Sequence, residues 1–454
     1  MALHKPGASV WICLVGVTAI AAQDLDVNYI LLCQSQGRGA PVGAINNVYP
    51  GNDYSWIVPS EMAVAGYTLL SLGQVVPARV AGDYLAAVQL PDGSWADQYH
   101  GSASMRASGS TRYTVQPVMF MAALHARGVG SFSTVLKRAR SWLISRSNPN
   151  GLLTGGDNPD FWLSDNAYAV VAWHRLGEFD RRDAAVRAIN QHFMAGDCWH
   201  QNLRSSDLSP GPGPFGWVHF APAMLGLQAF GVTYPNGLAD RMRNSLVVGQ
   251  GPDAGAVLDA EGSSKRMPGI GFQASLAWRD LGAGQLADSH RSWAESKSGL
   301  WQTTPDVNGI SGGWVDWKLA DGTRAPASQR FIDSSAYYLM VVRGIRFHQG
   351  TNEPAVVLTR DVYPAQLTLH TERLFKKPST AIGHEFAKNS EASFARPALL
   401  NAVLMFAVGC CILLPCLLYR QCSHKSNGIN LMRGVDTGSP HLAVLQRSQH
   451  EDLE

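Results

Sequence analysis

Five polar residues recur at one position of an otherwise apolar repeat in this sequence. Each stands eleven or twelve residues before a glycine that ends an apolar segment: Glu61, Gln116, Asp165, His219 and Asp333. Two carboxyl groups that lie across a space from each other can act as general acid and general base on a bond held between them. We therefore predict Asp165 as the catalytic acid and Asp333 as the base that activates water.

Both aspartates also have a simpler explanation. Aspartate is a preferred N-cap residue, so Asp165 and Asp333 could each do no more than cap a helix. Other carboxylates in the neighbouring loops compete for either catalytic role, namely Asp97, Asp157, Asp160 and Asp316.

The segments that carry these residues are six apolar blocks, each ending in glycine. They are MAVAGYTLLSLG (62–73), PVMFMAALHARG (117–128), NAYAVVAWHRLG (166–177), FAPAMLGLQAFG (220–231), GFQASLAWRDLG (271–282) and DSSAYYLMVVRG (333–344). Their terminal glycines follow one another at intervals of 49 to 62 residues. A period of this length indicates stacked supersecondary units, and a terminal glycine is typical of a helix end.

A second kind of helix follows most of these blocks. It has charges on one face and apolar residues on the other, in the ranges 135–146, 180–193, 238–246 and 286–296. Helices of this kind have one side in water, whereas the nearly uncharged blocks must be covered on all sides. The alternation predicts an all-α fold, an (α/α)6 toroid of helical hairpins over residues 58–350. The sixth inner helix has no evident partner, so either residues 24–36 supply it or the ring has eleven helices.

The long connections run from outer to inner helices and should gather at one rim, beside the unpaired N–H groups of the inner helices. These loops interleave aromatic rings with carboxylates and amides, which suits the apolar faces and the hydroxyls of sugars. The expected substrate-binding residues are Glu61, Trp95, Gln116, Asp160, Trp162, His219, Trp301 and Trp314. For each tryptophan the alternative is structural, because a Gly-x-Trp sequence tucked under a helix end also closes a repeat.

The predicted ring also fixes an approximate distance between the two aspartates. Packed helix axes are about 8–10 Å apart, so opposite helices of a six-membered ring are roughly 16–20 Å apart. Allowing ~5 Å of reach for each side chain leaves roughly 6–10 Å between Asp165 and Asp333, near the separation associated with inverting glycoside hydrolysis.

The repeat, together with SDNAYAVVAWHRLG and FIDSSAYYLMVVRG, resembles the six-hairpin glycosidase superfamily over about residues 58–347. The resemblance implies a toroid whose substrate lies over the N-terminal rim of the inner helices, where carboxylates act as acid and base. It does not select one family among the hydrolases, lyases and epimerases of that superfamily. A rival likeness rests on GDYLAAVQLPDGSW (82–95), which fits the Gln–Trp repeat of triterpene cyclases, but the other repeats match that pattern poorly.

The two ends of the chain predict a secreted and anchored protein. Residues 1–22 read as a secretory signal peptide, with an uncleaved anchor as the alternative. An uncharged apolar run at 398–419 is long enough to cross the hydrocarbon core, which needs about 20 residues. We expect an N-terminal extension (23–57), a stalk with a short strand-like segment (351–397) and a cytosolic tail (420–454), as in a single-pass type I protein of the plasma membrane or the secretory pathway.

Composition narrows the possible partners. A formal charge of +2, without a long basic run, argues against nucleic acid. We expect no cofactor and no metal site. Cys33 and Cys198 are the two cysteines outside the terminal apolar segments, and their pairing stays open.

Three functions remain in contention. The leading hypothesis is a membrane-anchored protein that hydrolyses an oligo- or polysaccharide. The alternatives are a glycan-binding or adhesion toroid without catalysis, and a toroid enzyme resembling a terpenoid cyclase.

Overall fold

The computed structural model describes residues 25–35, 41–48, 56–105, 109–155, 159–306, 309–348 and 356. All of them belong to one compact unit, Met1–Lys376. The predicted signal peptide, most of the stalk, the apolar run at 398–419 and the tail lie outside the described residues. Within the described part, no helix combines the length and the apolar character that crossing a membrane requires.

The described part is an all-α toroid with a few very short strands. Its helices in chain order are α1 (25–33), α2 (Pro59–Ser71), α3 (Val75–Ala87), α4 (Thr111–Ala126), α5 (Ser133–Arg146), α6 (Leu163–Arg175), α7 (Phe179–His192), α8 (Ala221–Met224), α9 (Leu238–Leu246), α10 (Pro268–Asp280), α11 (Gly284–Ser296) and α12 (Ile332–Arg343). The strands are β1 (Tyr99–His100), β2 (Ala103–Ser104), β3 (Phe161–Trp162), β4 (Met194–Ala195), β5 (Cys198–Trp199), β6 (Asn202–Leu203), β7 (Trp314–Val315) and β8 (Arg330–Phe331).

The even-numbered helices close a ring. Each packs against the next, from α2 through α4, α6, α8 and α10 to α12, and α12 packs back against α2. These helices are buried almost all round, as their lack of charges predicts. The odd-numbered helices α3, α5, α7 and α11 pack outside them and bury one face. The six glycines that end the inner segments all have positive φ, which confirms the predicted stops.

Helix α1 takes the place of the missing twelfth helix. The Asp26 carboxylate accepts hydrogen bonds from the Ser335 hydroxyl on α12 (2.6 Å) and from the Trp301 indole N–H (3.1 Å). The Tyr29 hydroxyl donates to the backbone carbonyl of Arg330, just before α12. The first of the two sequence-based options for this helix is therefore the observed one.

Two inner helices differ from the prediction. Helix α4 begins at Thr111, and Pro117, where its apolar block starts in the sequence, lies inside it. The fourth inner segment is broken rather than continuous: a 3-10 turn at Trp217–Phe220 leads into the four-residue α8, and a second 3-10 turn follows at Leu227–Phe230. Gly226, between α8 and the second turn, is left-handed (φ 70°), and a Cβ there would lie 2.4 Å from the His348 ring. The break thus coincides with a close approach of His348, a residue distant in sequence.

The strands form two-stranded antiparallel pairs; β3–β6 joins two different connections, and the other three pairs each lie within one connection. Strand β3 pairs with β6, and β7 pairs with β8 so that Trp314 lies opposite Phe331. Both pairs lie directly before an inner helix, α6 and α12, and so hold the first turns of those helices in place. Cys33 is buried in α1 and Cys198 lies in β5, and neither forms a disulfide.

Candidate active site

A cavity of about 110 Å³ opens at the rim formed by the first turns of the inner helices. Its polar lining consists of Ser60, Glu61, Arg112, Gln116, Gln273 and Asp333, and its aromatic lining of Tyr168, Trp217 and Tyr337. A buried water needs roughly 10–15 Å³ by this kind of measure, so the cavity has room for several waters or for part of one sugar ring. The rim is where the long loops and the positive ends of the inner helices meet, as the sequence predicts.

Glu61 is the third residue of α2 and lies at the cavity wall. Burial and, to a lesser extent, the nearby Asp333 raise the pKa of its carboxyl to about 8, against the opposing effects of Arg112 and of a hydrogen bond with the Asn47 side chain. Its Oε2 atom has no hydrogen-bond partner among the described residues. At neutral pH Glu61 therefore carries a proton that it can donate into the cavity.

Asp333, the second residue of α12, lies on the neighbouring inner helix. Burial raises the pKa of its carboxyl to about 6, whereas the N–H of Ser334, which donates to Oδ1 at 2.7 Å, and Arg112 lower it. Burial raises both pKa values, that of Glu61 more, so a single proton on the pair resides on Glu61 rather than on Asp333. The pair thus has one proton donor and one proton acceptor in the same cavity.

Arg112, in the first turn of α4, holds these carboxyl groups together electrostatically. Burial lowers its pKa, but Tyr113, Glu61 and Asp165 outweigh that effect and the net shift is upward. Its guanidinium lies 5.2 Å from the Trp217 ring centroid, and its buried Nε has no hydrogen-bond partner among the described residues. The charge of Arg112 lowers the pKa values of the surrounding carboxyls, which would otherwise be higher.

Asp165 lies next to this cavity but is not part of its lining. It is the third residue of α6, it is 5% exposed, and the Ser164 hydroxyl donates to it at 3.3 Å. Burial raises its pKa to about 6, against the opposing charge of Arg112. Asp316 behaves similarly: burial and Asp333 raise its pKa to about 6.

Neither predicted catalytic aspartate is an N-cap residue. The N-cap positions of α6 and α12 are Trp162 and Phe331, and the helices begin earlier than the sequence indicates. Both aspartates lie inside the first turn, where negative charge is still favoured by the helix dipole.

The floor of the cavity is closed by two tyrosines and a phenylalanine. The hydroxyls of Tyr168 and Tyr337 are 3.0 Å apart, and the Phe347 ring contacts both tyrosine rings edge-on. The backbone carbonyl of Phe347 accepts a hydrogen bond from Arg175 on α6. A ligand in this cavity can therefore extend only outward, through the mouth.

The other predicted substrate-binding residues divide into three groups: one lines the cavity, two lie in the core and four lie at the rim. Gln116 lines the cavity together with Glu61. Trp95 and Trp314 are wholly buried in the core, and the Trp95 indole N–H donates to the Leu85 carbonyl, so the structural alternative is correct for both.

Trp301, Trp162, Asp160 and His219 organise the rim rather than line the cavity. Trp301 stacks on Trp314 with ring centroids 5.2 Å apart, and Trp162 lies in β3. Asp160 accepts weak hydrogen bonds from the Asn202 side chain in β6 and from the Ser205 N–H just after it. The His219 ring accepts a hydrogen bond from the Gly216 N–H, and burial lowers its pKa to about 4. Asp157 lies outside the described residues.

Sequence reasoning missed most of the cavity lining, and Arg112 and Gln273 are the missed residues with strongly polar side chains. Arg112 precedes the apolar block that predicts this helix, and only a helix continuous through Pro117 places it at the rim. Gln273 is the only strongly polar residue between Gly271 and Trp278 of α10, which was an available signal. In the described residues, no cluster of three or more His, Cys, Asp or Glu side chains has a geometry that could hold a metal ion.

The sequence matches no family model and no curated protein. Solved structures with similar folds include a sugar epimerase from a ruminal bacterium (TM-score 0.56, 8% identity, covering 72% of this chain and 99% of that one) and an alpha-amylase from Clostridium perfringens (0.54, 9%, 72% and 98%). A cellobiose 2-epimerase from Spirochaeta thermophila is comparable (0.54, 11%, 74% and 98%). At these identities the likeness is one of fold alone, and it confirms the predicted all-α toroid.

Proposed function

On the fold of the six-hairpin glycosidases, we propose that this protein hydrolyses a glycosidic bond with Glu61 as general acid and Asp333 as general base. The observation that carries the proposal is the presence of both carboxyls in one rim cavity, with pKa values raised to about 8 and about 6. A pair of carboxyls of unlike acidity is the arrangement that glycoside hydrolysis needs. The acid role thereby moves from Asp165, which lies outside the cavity lining, to Glu61.

The reaction follows from the two protonation states. Glu61 gives its proton to the oxygen that links the two sugars, and the bond from that oxygen to the anomeric carbon breaks, its electron pair staying on the leaving oxygen. Water forms the new bond to the anomeric carbon and releases a proton to the Asp333 carboxylate. Transfer of that proton to solvent and reprotonation of Glu61 restore the starting state.

Arg112 and the polar cavity residues would position the reacting sugar. Gln116 and Gln273 offer amide donors and acceptors to hydroxyls, and the Tyr168 and Tyr337 hydroxyls lie at the floor. A lining with six polar residues favours a hydroxylated ligand over an isoprenoid, which disfavours the cyclase alternative.

Epimerisation or isomerisation of a free sugar is the second candidate. The closed floor and the small cavity suit one ring, and the solved structures of similar fold include sugar epimerases. Asp333 would then remove a proton from a carbon next to a carbonyl group, and Glu61 would protonate the oxygen or the other carbon.

The experiment is a turnover screen of the full-length protein on maltose, cellobiose, mannobiose, glucose and mannose, with products identified by chromatography. Hydrolysis of a disaccharide supports the proposal, and a change of a free sugar without hydrolysis supports the second candidate. Glu61→Gln and Asp333→Asn should each abolish turnover, while Asp165→Asn should reduce it less. Binding without turnover in the wild type would leave only the glycan-binding alternative.

We further propose that the enzyme is a single-pass type I membrane protein with the toroid outside the cytosol. This rests on the terminal segments 1–22 and 398–419 of the sequence. Full-length protein should stay with membranes after carbonate extraction, and removal of residues 398–454 should release it. A tag at the C-terminus should be cleaved by protease only after the cells are permeabilised, and cleavage on intact cells would contradict this orientation.

A further inference from the structure

One tryptophan at the rim is exposed rather than buried. Trp56 is 38% exposed, whereas the other tryptophans of the described residues are half-buried or buried. A large apolar ring left in water is a place where a ligand gains by covering it.

One residue, Asn47, holds the backbone of Trp56 beside the carboxyl pair. The Asn47 N–H donates to the Trp56 carbonyl at 2.8 Å, and the Asn47 side chain hydrogen-bonds with Glu61. The Asn47 carbonyl accepts from the Ile332 N–H at 3.0 Å, directly before Asp333. Residue 47 thus connects Trp56 with the first turns of both α2 and α12.

The ring of Trp56 is also held in orientation. It packs edge-to-face against Phe331, with centroids 5.6 Å apart and planes at 83°. Phe331 is itself fixed by its pairing with Trp314 in β7 and by a bridge to Val48. An indole held in this way loses little side-chain entropy when a ligand binds.

The cavity and Trp56 together define two positions for sugar rings. The closed floor of Tyr168 and Tyr337 lets a sugar chain extend only outward. We propose that Trp56 is the stacking platform for the second sugar, the ring on the outer side of the scissile bond, so that the substrate is a disaccharide or longer. This inference rests on the proposed function, because it takes the bond between Glu61 and Asp333 as the one that reacts.

The test compares one-ring and two-ring substrates. Using the disaccharide that the wild-type full-length protein hydrolyses and the glycosyl fluoride of the same inner sugar, kcat/KM is measured for wild type, Trp56→Ala and Trp56→Phe. Stacking of a nucleic-acid base on an aromatic side chain offers a comparable scale of about 1–3 kcal/mol, so Trp56→Ala should lower kcat/KM on the disaccharide about 5- to 150-fold. The fluoride has no outer ring and should be hydrolysed within about twofold of wild type, and Trp56→Phe should recover most of the loss.

A matched control is Phe179→Ala, which removes another exposed aromatic ring, at the start of α7. It should leave both substrates unaffected. Equal losses on disaccharide and fluoride in Trp56→Ala, or no loss on either, would overturn the platform.

The outcome for stacking on Trp56 can be told apart from the outcome for the proposed hydrolysis. If the wild type hydrolyses neither substrate, calorimetric binding of maltose, cellobiose and mannobiose replaces turnover. Wild-type binding that Trp56→Ala loses supports the platform and removes the hydrolase, whereas binding that both share, or no binding, removes the platform.

Discussion

Glu61 and Asp333 should produce a bell-shaped pH profile in any reaction that uses both. Activity needs Asp333 ionised, with a pKa of about 6, and Glu61 protonated, with a pKa of about 8. The kcat/KM for a disaccharide should therefore rise through pH 6, reach its maximum near pH 7 and fall through pH 8. Because the two carboxyls interact, these apparent pKa values belong to the pair.

The variant that separates the two limbs is Glu61→Gln. It should lose the alkaline limb and lower kcat on a disaccharide by roughly 10²–10⁴-fold, the usual contribution of a general acid. A glycosyl fluoride, whose leaving group needs no proton, should lose far less. An alkaline limb that persists in Glu61→Gln would show that another group supplies the proton.

Arg112 should set the acid limb of that profile. Its guanidinium lowers the pKa values of Glu61, Asp165 and Asp333. An opposite charge at close range commonly depresses a carboxyl pKa by 1–3 units, so Arg112→Met should move the acid limb upward by about 1 unit or more.

The measurement is the pH dependence of kcat/KM, with Arg243→Met as the matched control. Arg243 is half-exposed and pairs only with Asp240 on the surface of α9 among the described ion pairs. An acid limb that stays in place in Arg112→Met would mean that the arginine has only a packing role.

At this scale the sequence predicted Glu61, Gln116 and Asp333 because their distance from a terminal glycine fixes their level in the ring. It could not predict that Trp95 and Trp314 lie in the core, since a Gly-x-Trp turn presents the same residues whether the ring points inward or outward. Arg112 was missed because proline usually marks a helix start, and here tertiary packing keeps Pro117 inside α4.

At the scale of elements, the broken fourth inner segment depends on a close approach at Gly226. Its φ of 70° is one that other L-residues adopt only at a cost of about 1–2 kcal/mol. In addition, a Cβ would meet the His348 ring, whose Nδ1 is 3.2 Å from the Leu225 carbonyl. Gly226→Ala should therefore destabilise the protein by more than the backbone cost alone, about 3 kcal/mol in total.

Gly128→Ala isolates the backbone contribution in a denaturation experiment. Gly128 has the same φ of 70°, and a Cβ there would meet nothing within 4 Å. The difference between the two variants in free energy of unfolding measures the contact with His348. Equal losses would show that the break does not depend on that contact.

The contrast between predicted and observed elements has the same origin. Helix periodicity and terminal glycines are local signals, so α5, α7, α9 and α11 fall within two residues of their predicted bounds. The break after α8 and the start of α4 are set by residues distant in sequence, which a local pattern does not contain. Helix α1 is an intermediate case, because its pattern indicates a helix but its place in the ring depends on Ser335 and Arg330.

At the scale of the whole molecule, closing the ring leaves an acid in the core. Asp26 joins α1 to α12 and is fully buried, and burial raises its pKa to about 7, although bonds from Ser335 and Trp301 oppose the shift. Below about pH 4 the folded and unfolded chains both hold this proton. Between about pH 4 and pH 7 the unfolded chain releases it while the folded chain keeps it, so stability falls as the pH rises.

The toroid should consequently be more stable at pH 5 than at pH 8. Asp26 alone should contribute about 2–3 kcal/mol to that difference, and the raised pKa values of Glu61, Asp165, Asp316 and Asp333 act in the same direction. Urea denaturation of the full-length protein in detergent at the two pH values measures it.

Asp26→Asn assigns the effect, because an amide does not titrate and the difference between pH 5 and pH 8 should shrink even if the variant is less stable at both. Asp240→Asn, an exposed position on α9, is the control and should keep the wild-type difference. The same pH dependence in Asp26→Asn as in the wild type would mean that the folded chain tolerates the charge of Asp26 in the seam between α1 and α12. The pH dependence of the free energy of unfolding would then come from the rim carboxyls. In that case the carboxyls proposed for catalysis, and not Asp26 at the closure of the ring, would make the protein less stable at high pH.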